Sequence, residues 1–272
     1  MKVFDEMFGV KIPIIGVVHL PPLPGAPMYT GMSVKKITEK AVSIAKLLVE
    51  NGVNGLVIEN FGDKEFQKRV GPEVIAALSV ISKEVKDVVK VPIGLCVLQA
   101  DVFAALAISK AIDAEFIRAA YFTEVAINDL GFMEGCAGEA LRYRKYIESK
   151  TKIFVDVHVK HSYPLMQRPI EESAEDAVER GLADAITITG RKTGGETNIK
   201  DVIRVREALK DVPLIVGSGV TINNVDQYLD YVNAIIVATS FNFDGTVEGE
   251  LDQERISAFM KKINDYRKNK NF

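Results

Sequence analysis

The chain has 272 residues, of which 47% are apolar and 26% charged, an ordinary globular balance. Lysine plus arginine (34) nearly match aspartate plus glutamate (37), and the net charge of −3 argues against a nucleic-acid surface. Two cysteines, Cys96 and Cys136, make no disulfide framework, no apolar run approaches the roughly 18 residues of a membrane span, and the expectation is a cytoplasmic protein, peripheral at most to any membrane.

Residues 1–9 set Val3, Phe4, Met7 and Phe8 on one helical face, as a plug beneath a larger fold would. One unit then recurs along the chain: a short β-branched run, a Gly/Pro/Asn-rich turn and a helical pattern. The runs are residues 14–19, 55–59, 92–98, 116–119, 153–160, 185–189, 214–217 and 234–238. Helical patterns lie at 33–50, 72–88, 102–110, 138–149, 170–180, 199–209, 222–229 and 252–266. Strands separated by helices of this size need right-handed crossovers and a parallel sheet. Eight such units predict an α/β fold, a single (β/α)8 TIM barrel over residues 1–272, with a short N-terminal helix. The insertion at 122–137 is long for a βα loop, and the tail at 268–272 is expected to fray.

The fifth run, IFVDVHVKH at 153–161, differs from the others. Period-two alternation puts Val155, Val157 and Val159 on one face and Asp156, His158 and Lys160 on the other. An acid, an imidazole and an amine at the end of a buried strand are costly to desolvate unless they are paired or used. In a TIM barrel the chemistry sits at the C-terminal strand ends. His19, Glu59, Asn60 and Asp101 belong to the same rim, as does His161. Three more rim segments point to an anion: Gly217-Ser218-Gly219, Thr239-Ser240, and the TGRKTGGET loop with Gly194 and Gly195, flanked by Arg191 and Lys192. Small residues let backbone N–H groups approach an oxyanion.

Several segments resemble the BtpA family over nearly the whole chain: IIGVVHLPPLPGAP (14–27), ENFGD (59–63), DVHVKH (156–161), RPIEE (168–172), ITGRKTG (188–194), GSGVT (217–221) and VATSF (237–241). The resemblance implies a phosphate-binding-type barrel; the cyanobacterial namesake is tied to photosystem assembly as an extrinsic membrane protein. Two stretches depart from the family pattern. Cys96 and Gln99-Ala100 stand where Asn and Arg-Asn are expected, and Ala119-Ala120-Tyr121 stands where an Asn is expected. These departures point to altered ligand specificity.

The catalytic candidates are Lys160, His158, Asp156, Glu59 and His19. Lys160 beside two histidines suits a Schiff-base or general-base amine. Asp156 is expected to orient His158, and Glu59 and His19 add acid/base capacity. Gly194, Gly195, Gly217, Ser218, Gly219, Thr239, Ser240, His161 and Arg168 are the ligand-binding candidates. The leading expectation is isomerase or aldolase/lyase chemistry on a small phosphorylated, sugar-like molecule, with no cofactor, in a homo-oligomer. Two alternatives stay open. Glu59, Asp156, His158 and His19 could ligate a metal in a hydrolase. A barrel can also serve as a non-enzymatic assembly factor.

Overall fold

The structure, a computed structural model, describes residues 2–270; Met1, the side chains of Lys2 and Val3, Asn271 and Phe272 lie outside what it describes. Helix α1 (Lys2–Phe8) leads into strand β1 (Ile14–His19), after which α2 (Val34–Glu50), β2 (Gly55–Glu59), α3 (Pro72–Val88), β3 (Ile93–Cys96), α4 (Val102–Ile112) and β4 (Phe116–Ala119) alternate. A hairpin of β5 (Ala126–Asn128) and β6 (Gly131–Met133) interrupts the pattern before α5 (Ala137–Tyr146), β7 (Lys152–Val157) and the two-residue β8 (Tyr163–Pro164). The chain finishes with α6 (Ile170–Glu179), β9 (Ala185–Ile188), α7 (Ile199–Ala208), β10 (Leu214–Val216), β11 (Ala234–Val237) and α8 (Gln253–Asn269).

Eight strands close into a parallel barrel in the order β1-β11-β10-β9-β7-β4-β3-β2. The outward side chains pack under the helices. In α2, for example, Ile37, Ala41, Ala45 and Leu48 recur at helical spacing and are buried, with Ile37 and Leu48 each contributing about 1.5–3 kcal/mol by leaving water. The inward side chains stack in layers. At the bottom, Phe116 and Phe154 stack with ring centroids 4.6 Å apart, and Phe4 and Phe8 of α1 close on them at 5.7 and 6.1 Å. The expected plug is therefore in place. Gly94 on β3 makes the room, since a Cβ there would collide with the Phe116 ring.

Two expectations are corrected, and the long insertion has structure of its own. Residues 222–229 form no α-helix, only a single 3₁₀ turn at Val225–Gln227. The Asn224 side chain instead accepts from Thr221 N at 2.8 Å and donates to Gly219 O at 2.9 Å, a local alternative that competes with helix initiation. The tail does not fray at Lys268, because α8 continues to Asn269 and Lys270 pairs with Asp230 at 2.8 Å. The insertion at 122–137 is structured: β5 pairs antiparallel with both β6 and β8. Ala126 and Met133 of this small sheet pack inward with Tyr121 and Val159.

Candidate active site at the C-terminal mouth of the barrel

Above the aromatic floor the inward positions become charged. The period that turns Phe116 inward on β4 turns Arg118 inward two residues later, and Phe154 likewise leads to Asp156 on β7. Glu59 ends β2 in the same layer, hydrogen-bonded in register beside His19 of β1 and Cys96 of β3. Glu59, Arg118 and Asp156 are 2%, 8% and 5% exposed, so each must find its counter-charge inside the barrel. Arg118 supplies it. Its Nε and Nη2 donate to the two Asp156 oxygens at 2.9 and 2.8 Å, and its Nη1 donates to Glu59 at 3.2 Å. Asp156 thus orients Arg118, not His158 as the alternation suggested.

The His19 ring lies 3.7 Å from the other Glu59 oxygen and packs on Phe61 at 4.7 Å. Burial lowers the His19 pKa below its ordinary value; Glu59 opposes this, while Lys160 and Arg118 reinforce it. Burial pushes the Glu59 carboxyl up, but Arg118, His19 and Lys160 more than reverse it, leaving its pKa below the ordinary glutamate value. Burial also acts against the Arg118 charge, and Asp156 with Glu59 outweighs it. Lys160 reaches the same layer from the loop after β7. Burial and then Arg118 lower its pKa, against the pull of Glu59 and Asp156. Among the described residues its amine makes no hydrogen bond or ion pair.

The row Asp156, His158, Lys160 does not survive as one face. Strand β7 ends at Val157, and His158 adopts a left-handed φ of 47°, rare for a residue with a Cβ. The turn takes the imidazole out of the mouth: Nε2 lies 3.3 Å from Ser173 Oγ of α6, and the His158 N–H donates to Glu124 at 3.2 Å. It also carries Lys160 back into the barrel. His161, again left-handed at φ 58°, pairs with Thr193 through Nε2 at 3.1 Å. Arg168 stands apart, bound to Asp176 at 2.8 Å on the outer helix α6. Asn60 and Asp101 brace loops: Asn60 accepts from Leu98 N at 2.7 Å, and Asp101 caps α4 by accepting from Ala104 N at 3.0 Å.

Two spaces open from the charged layer. A chamber of about 740 Å³ lies over β2, β3, β4 and β7, bounded by Glu59, Arg118, Asp156, Lys160, His161 and Arg191 among others. On the other half of the mouth, over β9, β10, β11 and β1, a narrow throat is lined by Lys160, His19, Gly194, Gly217, Gly219 and Thr239. Gly194, Gly219 and Thr239 also border an outer cavity of about 420 Å³ that reaches Ser240 and Arg255. The throat and the outer cavity meet at these three residues, forming a cup of small side chains. Ser218 borders the throat as well, while its hydroxyl accepts from Gly190 N and donates to Gly195 O, both at 3.2 Å, so Ser218 and Gly195 knit the loops behind the cup. Ser240 Oγ is buried and has no hydrogen-bond partner among the described residues.

The four expected metal donors do not gather into one set. Both carboxylates are taken up by Arg118, and His158 is turned away toward Ser173. Among the described residues no three His, Cys, Asp or Glu side chains converge on a point suited to a metal ion. Cys96 and Cys136 are both free. No described helix is long and apolar enough to cross a membrane. Arg118 is the site residue that sequence reasoning missed, although its parity with the inward Phe116 was the available signal.

A closed eight-stranded parallel barrel with its charged groups collected at the C-terminal mouth defines the class: this is a TIM-barrel protein. Solved barrels agree in fold, among them phosphoribosyl anthranilate isomerase from Thermus thermophilus (TM-score 0.56, 12% identity, 94% of this chain and 100% of that one). A structure described as native KDPGal (TM-score 0.57, 13% identity, 94% and 96% covered) agrees likewise. At these identities the likeness concerns the fold alone. The chain belongs to the BtpA family, whose model matches residues 10–265. It is 38% identical to the photosystem I biogenesis protein BtpA of Synechocystis over 97% of this chain and 92% of that one. It is 40% identical to an uncharacterised protein of Methanocaldococcus jannaschii over 93% and 96%.

Proposed function

We propose that the protein is an enzyme of carbonyl chemistry, an isomerase or lyase, acting on a small phosphorylated, sugar-like substrate with Lys160 as its reacting amine. The observation that carries this reading is the place of Lys160. The amine lines both the throat and the chamber, so a ligand anchored in the glycine cup would bring its next few atoms past it. The cup offers backbone and hydroxyl donors where barrels of this class hold phosphate. Burial and Arg118 favour the neutral amine, the form that attacks a carbonyl carbon. On imine formation the carbonyl oxygen leaves as water with the two amine protons. The protonated imine is then an electron sink for removing a proton from the adjacent carbon, or for breaking the next C–C bond. The neutral imidazole of His19 is suited to carry the proton. The test is borohydride reduction in the presence of a panel of aldose and ketose phosphates, followed by peptide mass analysis. A stable adduct on Lys160, absent from Lys160→Met, is the expected result; full turnover by Lys160→Met overturns the reading.

A second reading, a factor that works through a macromolecular partner, has its own observation. Ile127 and Phe132 are cross-strand neighbours on one face of the small sheet, 41% and 59% exposed. Exposed apolar clusters of this kind often mark interaction surfaces. The Synechocystis relative carries the name of a photosystem I biogenesis protein. Charge substitutions at Ile127 and Phe132 that abolish biological function while sparing small-ligand binding would favour this reading over the enzymatic one.

A further inference from the structure

We propose that the substrate's sugar carries a flat aromatic or heteroaromatic ring, and that the large chamber is the binding site of that ring. The inference rests on the reading of the cup and Lys160 given above and adds the substrate class.

The cup and the chamber are joined, since Glu59, Arg118, Lys160 and Thr193 border both. A phosphate in the cup therefore directs the rest of its molecule past Lys160 and into the chamber. The space there, about 740 Å³, exceeds the need of the few remaining carbons of a sugar and is of the size that holds whole organic ligands. Its chemistry is uneven. Glu59, Arg118 and Asp156 form the floor, whereas Phe61, Phe66, Leu98, Val159 and Tyr163 supply apolar wall. Polyols need hydrogen-bond partners on every side, and such a wall gives them none; a flat ring is matched to it.

The placement of the aromatics favours a flat group in particular. Phe61 and Phe66 come from the loop after β2, and Tyr163 comes from the segment after β7, with β3 and β4 lying between those strands in the barrel. The aromatic side chains thus approach the chamber from separated sides of the mouth, with Leu98, from the loop after β3, between them in barrel order. Two cations sit on these rings: the Arg191 guanidinium is 5.0 Å from the Tyr163 centroid, and the Lys64 amine is 5.2 Å from that of Phe61. Both cations belong to the chamber lining, beside the carboxylates of Glu65 and Asp129.

The experiment is calorimetry on the full chain with ribose 5-phosphate, uridine 5′-monophosphate, adenosine 5′-monophosphate and uridine. The probes share the pentose and differ in ring and phosphate. At least one nucleotide is expected to bind tenfold or more tightly than ribose 5-phosphate, and uridine more weakly than its monophosphate. Tyr163→Ala and Phe66→Ala should erase the nucleotide advantage while leaving ribose 5-phosphate affinity within twofold. Tyr163 is mostly solvent-exposed, so its truncation leaves the barrel core untouched, and circular dichroism verifies the fold. If ribose 5-phosphate binds and neither nucleotide improves on it, the ring proposal is overturned and the cup reading stands. If none of the phosphates binds, the cup reading falls and takes this one with it.

Discussion

The guanidinium of Arg118 lies against both oxygens of Asp156, Nε at 2.9 Å from one and Nη2 at 2.8 Å from the other, deep inside the barrel. A bidentate pair of this kind fixes both planes at once, and the remaining Nη1 reaches Glu59 at 3.2 Å. One cation thereby compensates two carboxylates on strands from different sides of β4. Replacing Arg118 with methionine keeps much of the stem, removes every side-chain hydrogen bond shown for Asp156 and leaves Glu59 with only the His19 ring nearby. Breaking a buried pair in this way is expected to cost about 3–5 kcal/mol in urea unfolding at pH 7. The sign of the pH effect follows from Glu59. Its folded pKa is below the ordinary 4.5, so its contribution is present above that value and is lost as pH falls through the folded pKa. Without Arg118 the burial penalty on the Glu59 carboxylate is opposed only by His19 and Lys160, so its pKa moves up from the parent's. The difference between parent and variant should shrink as the pH is lowered from 7 toward 5; a constant difference would show that the charges are not its source.

Lys160→Met separates chemistry from stability. If Lys160 is the reacting amine, turnover should fall by about 10²–10⁴-fold, or ligand affinity should collapse if the amine is only a contact. Stability should move the other way. The folded pKa of Lys160 lies below the ordinary 10.5, so the folded chain binds fewer protons than the unfolded one between the two values. The protonated amine therefore costs stability in full below the folded pKa, and the cost is relieved as pH rises toward 10.5. The methionine variant should melt above the parent at pH 7, and the gap should close in alkaline buffer. The parent's rate should rise with pH along a limb that the variant lacks.

The cup has its own probe in Gly219, which sits at φ +67° with its α-carbon against Gly195. An alanine there meets left-handed backbone strain of about 1–2 kcal/mol, and its Cβ collides with the Gly195 carbonyl. Phosphate or sulfate at millimolar concentration should raise the melting temperature of the parent, as any ligand of the native state does. Gly219→Ala should melt lower and lose the response. A variant that still responds fully would move the anion elsewhere on the rim.

Much of this arrangement was legible before any coordinates. Eight alternating runs imply the barrel, and Phe4 and Phe8 read as a plug, because each depends on local pattern alone. Arg118 was not legible in the same way. One arginine in the run FIRA reads as a charge at a strand end, and only barrel closure brings Glu59 and Asp156 to its two sides. The hairpin within 122–137 escaped notice since each of its strands has three residues, too few for alternation to register. His158 was misplaced for a different reason. Period-two reasoning holds while the backbone stays extended, and a single left-handed residue ends it.

That left-handed residue yields the last expectation. The structural contribution of position 158 is its backbone: the turn at φ 47° stops β7 and returns Lys160 to the barrel. The imidazole itself contacts Ser173, the backbone N–H donates to Glu124, and His158 lines neither the chamber nor the throat. Glycine accepts the left-handed conformation without steric cost, whereas valine, branched at Cβ, is a genuine outlier there. His158→Gly should therefore keep ligand binding and any turnover within about threefold of the parent, a difference of under about 1 kcal/mol on the scale where 1.4 kcal/mol is tenfold. His158→Val should lose both, with the Lys160 amine misdirected even where the barrel remains folded. Borohydride labelling reports the amine directly and circular dichroism reports the fold, so the two failures can be told apart. Loss of function in the glycine variant with an intact fold would return the imidazole to the catalytic set, acting through the pair it forms with Ser173.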